Sequence, residues 1–144
     1  MTNELEIQVR FSETDAMGVV YHGNFYSWFE MGRYDLLDKF CENSKEELKQ
    51  GKFYLPVVKA ECSYLQFVKF GEDIVVSTYL VETESAKMRF ISEVRKKGSK
   101  KIVAKGYTEH VFLNPDYKML LKVPECFKKD IQFIRENYPQ YIVK

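Results

Sequence analysis

Cysteine, histidine, proline and glycine are all scarce in this chain: three, two, four and seven residues in 144, and the charges nearly cancel. Cys41, Cys62 and Cys126 are far apart and form no C-x-x-C pair, so neither a disulfide framework nor a zinc site is expected, only ordinary buried thiols. Two histidines give few imidazole ligands for any other metal, and none is expected. Lysine and arginine number 22 against 21 acids, a net charge of +1. That balance creates no field to gather nucleic acid or anionic lipid unspecifically. The longest strongly apolar uncharged stretch, Ala16 to Phe29, is too short to span a bilayer and contains His22 and Asn24. The opening MTNELEIQVR lacks the basic-then-apolar pattern of a signal peptide, which points to a soluble cytoplasmic protein.

What is present is a core. Hydrophobic residues make up 45%, aromatics 15% and charged residues 30%, a composition foreign to disordered, collagenous or low-complexity chains. The length suits one domain, residues 1–144, able to bury roughly two-thirds of its unfolded surface.

Leu5 to Phe11 alternates, with Leu5, Ile7, Val9 and Phe11 on one face, and predicts a half-buried strand. From about Tyr21 the period becomes helical: Phe25, Phe29, Gly32, Leu36 and Phe40 form a stripe, widened by Trp28, Met31 and Tyr34. Asn24 is the expected N-cap. A helix apolar over so much of its circumference should be buried on most sides. Ser44 to Gln50 predicts a short second helix, with Ser44 and Glu47 as a capping box and Gly51 as its stop.

Strands follow. Val58, Ala60, Cys62 and Tyr64 alternate with Lys59, Glu61 and Ser63; Gly71 and Glu72 break the pattern; Ile74 to Val81 is rich in β-branched residues. Met88, Phe90 and Val94 face one way in a third strand, and RKKGSKK is a solvated hairpin tip. Ile102 to Leu113 is a fourth, whose Ala104, Gly106 and Thr108 would let a helix lie close. Asn114–Pro115–Asp116 turns the chain, a short strand is expected over Lys118 to Lys122, and Pro124 opens a last helix through Phe127, Ile131 and Ile134. One long helix followed by consecutive antiparallel strands predicts an α+β fold, a curved sheet wrapped around the helix. The aromatic surface left over predicts a homo-oligomer, dimer or tetramer.

The chemistry is concentrated in Phe11 to Arg33. Asp15 lies in a loop, Gly18 gives that loop freedom, and His22 stands at the mouth of the long helix. The first turn of a helix offers unpaired N–H groups and the positive end of its dipole, which can hold a developing oxyanion. A carboxylate beside it can act as base or nucleophile on a carbonyl. Taken alone, Asp15 also reads as a turn-capping residue, His22 as a helix-start residue with a local hydrogen bond, and Tyr21 as core or interface. There is no G-x-S-x-G elbow for a serine triad.

The run T-D-A-M-G-V-V-Y-H-G-N-F, continuing W-F-E-M-G-R, resembles the signature of hotdog-fold acyl-CoA thioesterases. It is similar to the 4-hydroxybenzoyl-CoA thioesterase family, especially the branch associated with the bacterial Tol-Pal cluster. The likeness extends to Leu55–Val58, Phe70–Asp73 and His110–Asn114, although those segments are less specific. The resemblance implies that Asp15 is the nucleophile or general base in thioester hydrolysis. It implies that a backbone N–H at His22 polarises the thioester carbonyl while the ring assists proton transfer, with no cofactor. Tyr21 and Asn24 belong to the same motif and would orient the site, whereas Glu30 and Arg33 read as an i,i+3 ion pair. The implied substrate is an acyl-CoA, with acyl carrier protein as the other candidate thiol. Lys69, Lys87 and Arg89 are candidates for the coenzyme A phosphates. The competing readings are a non-enzymatic acyl-CoA or acyl-carrier-protein binding module, which would tend to lack the acidic group, and a dehydratase, whose longer hydration segment is missing here.

Overall fold

The computed structural model describes residues 1–144. Strand β1 (Glu4–Gln8) leads through a short 3-10 turn (Phe11–Glu13) to the long helix α1 (Asn24–Phe40). Then come α2 (Glu42–Lys49), β2 (Val57–Tyr64), β3 (Asp73–Val81), β4 (Lys87–Lys96), β5 (Ile102–Val111), α3 (Glu125–Asn137) and β6 (Ile142–Val143). The sheet order is β1-β3-β4-β5-β2, all antiparallel, with β6 parallel beside the end of β3. This is the expected α+β fold. No helix is long and apolar enough to cross a membrane.

The register explains how the sheet accepts α1. Thr78 of β3 stands opposite Ser92 of β4, which stands opposite Gly106 of β5. These three small, inward residues make a trough across the central strands. A Cβ on Gly106 would overlap the Phe29 ring, and one on Gly32 would come 2.6 Å from Thr78 Oγ1. Gly32 lowers helix propensity by about 1 kcal/mol relative to alanine, but no larger residue fits this approach. Burial follows the helical stripe: Phe25, Trp28, Phe29, Leu36 and Phe40 are at most 3% exposed. The first half of α1 packs with Val9, Ile74, Val76 and Val94 of the sheet side; the second half packs with Phe53, Phe112, Phe127 and Ile134.

Five local expectations are corrected. Phe11 is not on the strand: β1 ends at Gln8, the 3-10 turn swings the chain outward, and the exposed Phe11 ring sits edge-on to Phe70. Asn24 is not the cap; Gly23 is, because the Asn24 amide donates instead to the Glu13 carbonyl. Met31 and Tyr34 are exposed, so α1 keeps one bare side. Helix α2 starts two residues before Ser44 and has no capping box; the buried Asp130 of α3 accepts the Asn43 and Ser44 N–H groups, a cap lent by another helix. No strand forms over Lys118 to Lys122: the Asn114 side chain takes the Asp116 and Lys118 N–H groups, and only the Leu113–Met119 bridge remains.

The alternation of β2 is present, but neither face is covered. Only Cys62 is half-buried, and Val57, Val58 and Tyr64 are all exposed, because β2 is an edge strand that meets α1 only at its far end, where Tyr64 sits edge-on to Phe25.

Candidate active site

The loop before α1 is folded back on itself by its own backbone. Thr14 pairs with Val20, the Asp15 N–H donates to the Val19 carbonyl at 2.8 Å, and Gly18, with φ of 79°, closes the turn onto the Asp15 carbonyl at 3.0 Å. Val20 is tied to Val68 and Val19 pairs with Lys69, which joins the loop to the segment after β2. Asp15 is half-buried at the start of the turn, where its Oδ1 accepts the Met17 N–H at 2.8 Å. That is an Asx turn, and it leaves Oδ2 unbonded.

Glu13 is the hub that holds loop and helix together. Its carbonyl accepts the Tyr21 N–H at 2.9 Å and the Asn24 side-chain amide at 2.8 Å. Its buried carboxylate accepts the Arg10 N–H and the Trp28 indole N–H, both at 2.8 Å. Burial alone would push this carboxyl up, but the hydrogen bonds from Arg10 and Trp28 outweigh it and hold it below the usual carboxylate range. Asn24 thus fixes the loop to the first turn of α1.

At the mouth of α1 the Asn24, Phe25 and Tyr26 N–H groups turn back onto the carbonyls of Tyr21, His22 and Gly23. The His22 and Gly23 N–H groups make no hydrogen bond within the chain, so these two are the donors left at the positive end of the helix. The exposed His22 ring lies between two tyrosines, 4.5 Å from Tyr21 and 5.9 Å from Tyr64. The Tyr64 hydroxyl donates to the His22 carbonyl at 3.2 Å, so β2 braces the residue through its backbone.

The backbone thus ties the loop that carries Asp15, through Glu13, to Tyr21 and Asn24 on either side of His22, with the exposed Lys69 beside the loop. It does not bring Lys87 and Arg89 there. They project from the outer face of the sheet, each 3.8 Å from Glu109. The ion pair read for Glu30 and Arg33 is absent: no carboxylate lies within 4.0 Å of Arg33, which is buried, while Glu30 is exposed. Sequence reasoning missed the roles of Glu13 and Tyr64. Arg10 three residues before Glu13 was a usable signal for the first; nothing local announces the second, which reaches His22 only through the placement of β2.

A curved sheet closed around a buried helix, with a carboxylate loop folded against the helix mouth, defines a hotdog domain. The chain belongs to the thioesterase-like superfamily, whose family model matches residues 9–131. It is 40% identical over 75 residues to the "Putative acyl-CoA thioesterase YneP" of Bacillus subtilis, an alignment covering 52% of this chain and 54% of that one, so the match spans about half the length of that relative. It is 31% identical over 111 residues to the 1,4-dihydroxy-2-naphthoyl-CoA hydrolase of Crocosphaera subtropica, covering 74% of this chain and 79% of that one. Among solved structures, the DHNA-CoA thioesterase of Staphylococcus aureus superposes with a TM-score of 0.74 at 25% identity, over 96% of this chain and 84% of that one.

Proposed function

We propose that this protein hydrolyses the thioester of an acyl-CoA to the free acid and coenzyme A. The observation that carries this reading is that the loop bearing Asp15, with a free carboxylate oxygen, is tied by its backbone to the mouth of α1, where the His22 and Gly23 N–H groups are unbonded. A thioester carbonyl bound at those two donors would have its developing oxyanion held by fixed dipoles. Asp15 would then attack the carbonyl carbon, or deprotonate the water that does, and the thiolate is a good leaving group without a metal. Tyr21 and Tyr64 flank the His22 ring and keep it at the mouth of the helix, where it can pass a proton. Lys69, beside the loop, is the basic residue best located to meet a phosphate of the carrier. Coenzyme A is the proposed thiol; faster release from acyl carrier protein than from coenzyme A would reassign it.

Asp15→Asn tests the reading, because it removes the charge and keeps the shape. Thiol release from a panel of acyl-CoA esters should fall by roughly 10²–10⁴-fold with an unchanged melting temperature. Turnover at the parent rate would remove Asp15 from the mechanism, and no turnover by the parent protein on any ester would favour the binding-module reading.

We further infer that the working form is a homo-oligomer. Val57 and Val58 at 46% and 54% exposure, Leu65 at 61% and Phe67 at 67% line or adjoin the open edge of β2, an apolar edge that a second copy would cover. Light scattering should give a mass at least twice 17.1 kDa; a stable 17.1 kDa species would contradict this.

A further inference from the structure

Seven of the eleven phenylalanines are buried. Of the four that are exposed, Phe11 and Phe70 meet each other beside the Asp15 loop, with ring centroids 5.8 Å apart and planes at 87°. They are 76% and 61% exposed, so this edge-on pair is an open aromatic step and not a piece of the core. Neither residue sits on slack chain. The Phe11 carbonyl accepts the Thr14 N–H at 3.0 Å and the Thr14 hydroxyl at 2.7 Å. Next to Phe70, the Gly71 N–H donates to the Val9 carbonyl at 3.0 Å. That bond sets the step beside the end of β1, at the opposite edge of the sheet from the β2 strand that a second copy would cover.

Each ring has a cation as its chain neighbour: Arg10 precedes Phe11, and Lys69 precedes Phe70. The Arg10 side chain is 76% exposed and touches Glu13 through Nε at 3.5 Å. Lys69 is exposed, and no carboxylate lies within 4.0 Å of its ammonium. Glu72, three residues on, is occupied by the Lys69 N–H at 2.8 Å and by the Lys96 ammonium at 3.0 Å. Two open rings flanked by two cations suit a flat heteroaromatic ring that carries phosphates, because any base offers a face to stack and the cations meet the anion. A bilayer surface suits them less, because Glu72 and Asp15, both half-buried at this end, would have to enter it as well.

The step is within reach of the mouth of α1. Lys69 pairs with Val19 across an antiparallel bridge, which sets their Cα atoms about 5 Å apart. From Val19 to His22 is at most about 10 Å of extended chain. The pantetheine arm of coenzyme A, extended, covers that span between its thiol and its phosphates.

We propose that the Phe11–Phe70 step is a nucleotide subsite: the adenine of coenzyme A stacks on the two rings, and Arg10 and Lys69 take its phosphates. The identity of the nucleotide rests on the hydrolytic reading above.

The test is calorimetric titration of the intact protein with the adenosine bisphosphate that terminates coenzyme A. Kinetics follow on the acyl group released fastest from the acyl-CoA panel, presented once on coenzyme A and once on pantetheine alone. The parent should bind the nucleotide, and Phe11→Ala and Phe70→Ala should each weaken it at least about fivefold at an unchanged melting temperature. Lys69→Gln should weaken it as well and flatten its salt dependence. Each variant should lose the parent's preference in kcat/KM for the coenzyme A ester over the pantetheine ester, through KM. Nucleotide binding that survives both aromatic substitutions, an equal fall on both esters, or a change of oligomeric mass in Phe70→Ala, which would make the step a contact between copies, would each overturn the assignment. A parent that hydrolyses both esters without binding the nucleotide loses the subsite and keeps the chemistry. One that binds the nucleotide and hydrolyses neither ester keeps the subsite and loses the chemistry.

Discussion

The mouth of α1 and the interior of α1 are built on opposite rules. At the mouth, polar groups are left spare: an Asp15 oxygen, two backbone donors and an exposed imidazole. In the interior most polar groups are matched, the Thr78 hydroxyl under Gly32 being an exception. Asp130 caps α2, Thr108 and Leu55 hold His110, and small residues clear a trough for Phe29. Unused hydrogen-bonding capacity is expensive when buried and inexpensive when wet, so the spare groups collect at the exposed end, where the proposed chemistry lies, and stability at the other. The two regions should therefore respond differently to change. Asp15→Asn should remove activity and spare stability; substitutions in the interior should do the reverse.

The largest interior effect is set by pH. His110 has its pKa pushed down to about 4 from the ordinary 6.5, by burial first and by Arg33 second, against the opposing bond to Leu55. In the unfolded chain it takes up a proton near pH 6.5; in the folded chain it resists until about pH 4. Between those values the unfolded state binds more protons, so stability falls as pH falls. The loss is about 1.5 kcal/mol between pH 6.5 and 5. Above pH 6.5 the slope fades and is gone by about pH 7.5. Glu13 and Glu109, both held below the usual carboxylate range, change stability in the same direction but only at lower pH. Urea midpoints between pH 6.5 and 5 should therefore drop in the parent protein and stay nearly level in His110→Gln. Parallel pH profiles for the two proteins would mean that the imidazole is not the titrating group.

A comparable loss should follow from filling the trough. Gly106→Ala puts a methyl into the space of the Phe29 ring, and α1 must lift from β5 or the ring must leave its rotamer. Overpacking of this kind costs about 1–3 kcal/mol. Thermal unfolding measures it, and activity per folded molecule should change little because Asp15 and His22 are held by other segments. A melting temperature equal to the parent's would mean that the helix rides higher on the sheet than its register implies.

These contrasts also explain what the sequence made legible. Period and turn chemistry are local, so the long helix, the four main strands and the Gly98 hairpin could be read directly, and the small residues of β5 announced the close approach of α1. The short run from Asp15 to Asn24 was legible because loop and helix start are neighbours in the chain. Tertiary partners were not legible. The cap of α2 comes from Asp130, far along the chain. Arg33 looked paired because Glu30 is three residues away, but helix rotation buries one and exposes the other. The alternation in β2 gave no sign that the helix would leave both faces of this edge strand largely uncovered.

The sharpest test of the contrast is the one residue that belongs to both regions. Glu13 anchors Trp28 in the core through its carboxylate and anchors Tyr21 and Asn24 at the mouth through its carbonyl. Glu13→Gln keeps the size but offers one acceptor oxygen where Arg10 N–H and Trp28 Nε1–H each need one. Leaving one buried donor unmatched costs about 1–2 kcal/mol, seen as a lower melting temperature. If the mouth is held in place from the interior, the loop loosens as well, and kcat falls while KM changes little, because the misplaced groups act on the reacting carbonyl and not on the carrier. A drop in stability with unchanged kcat would show the two regions to be separable, with Asp15 and His22 positioned by the loop's own backbone pairing of Thr14 with Val20.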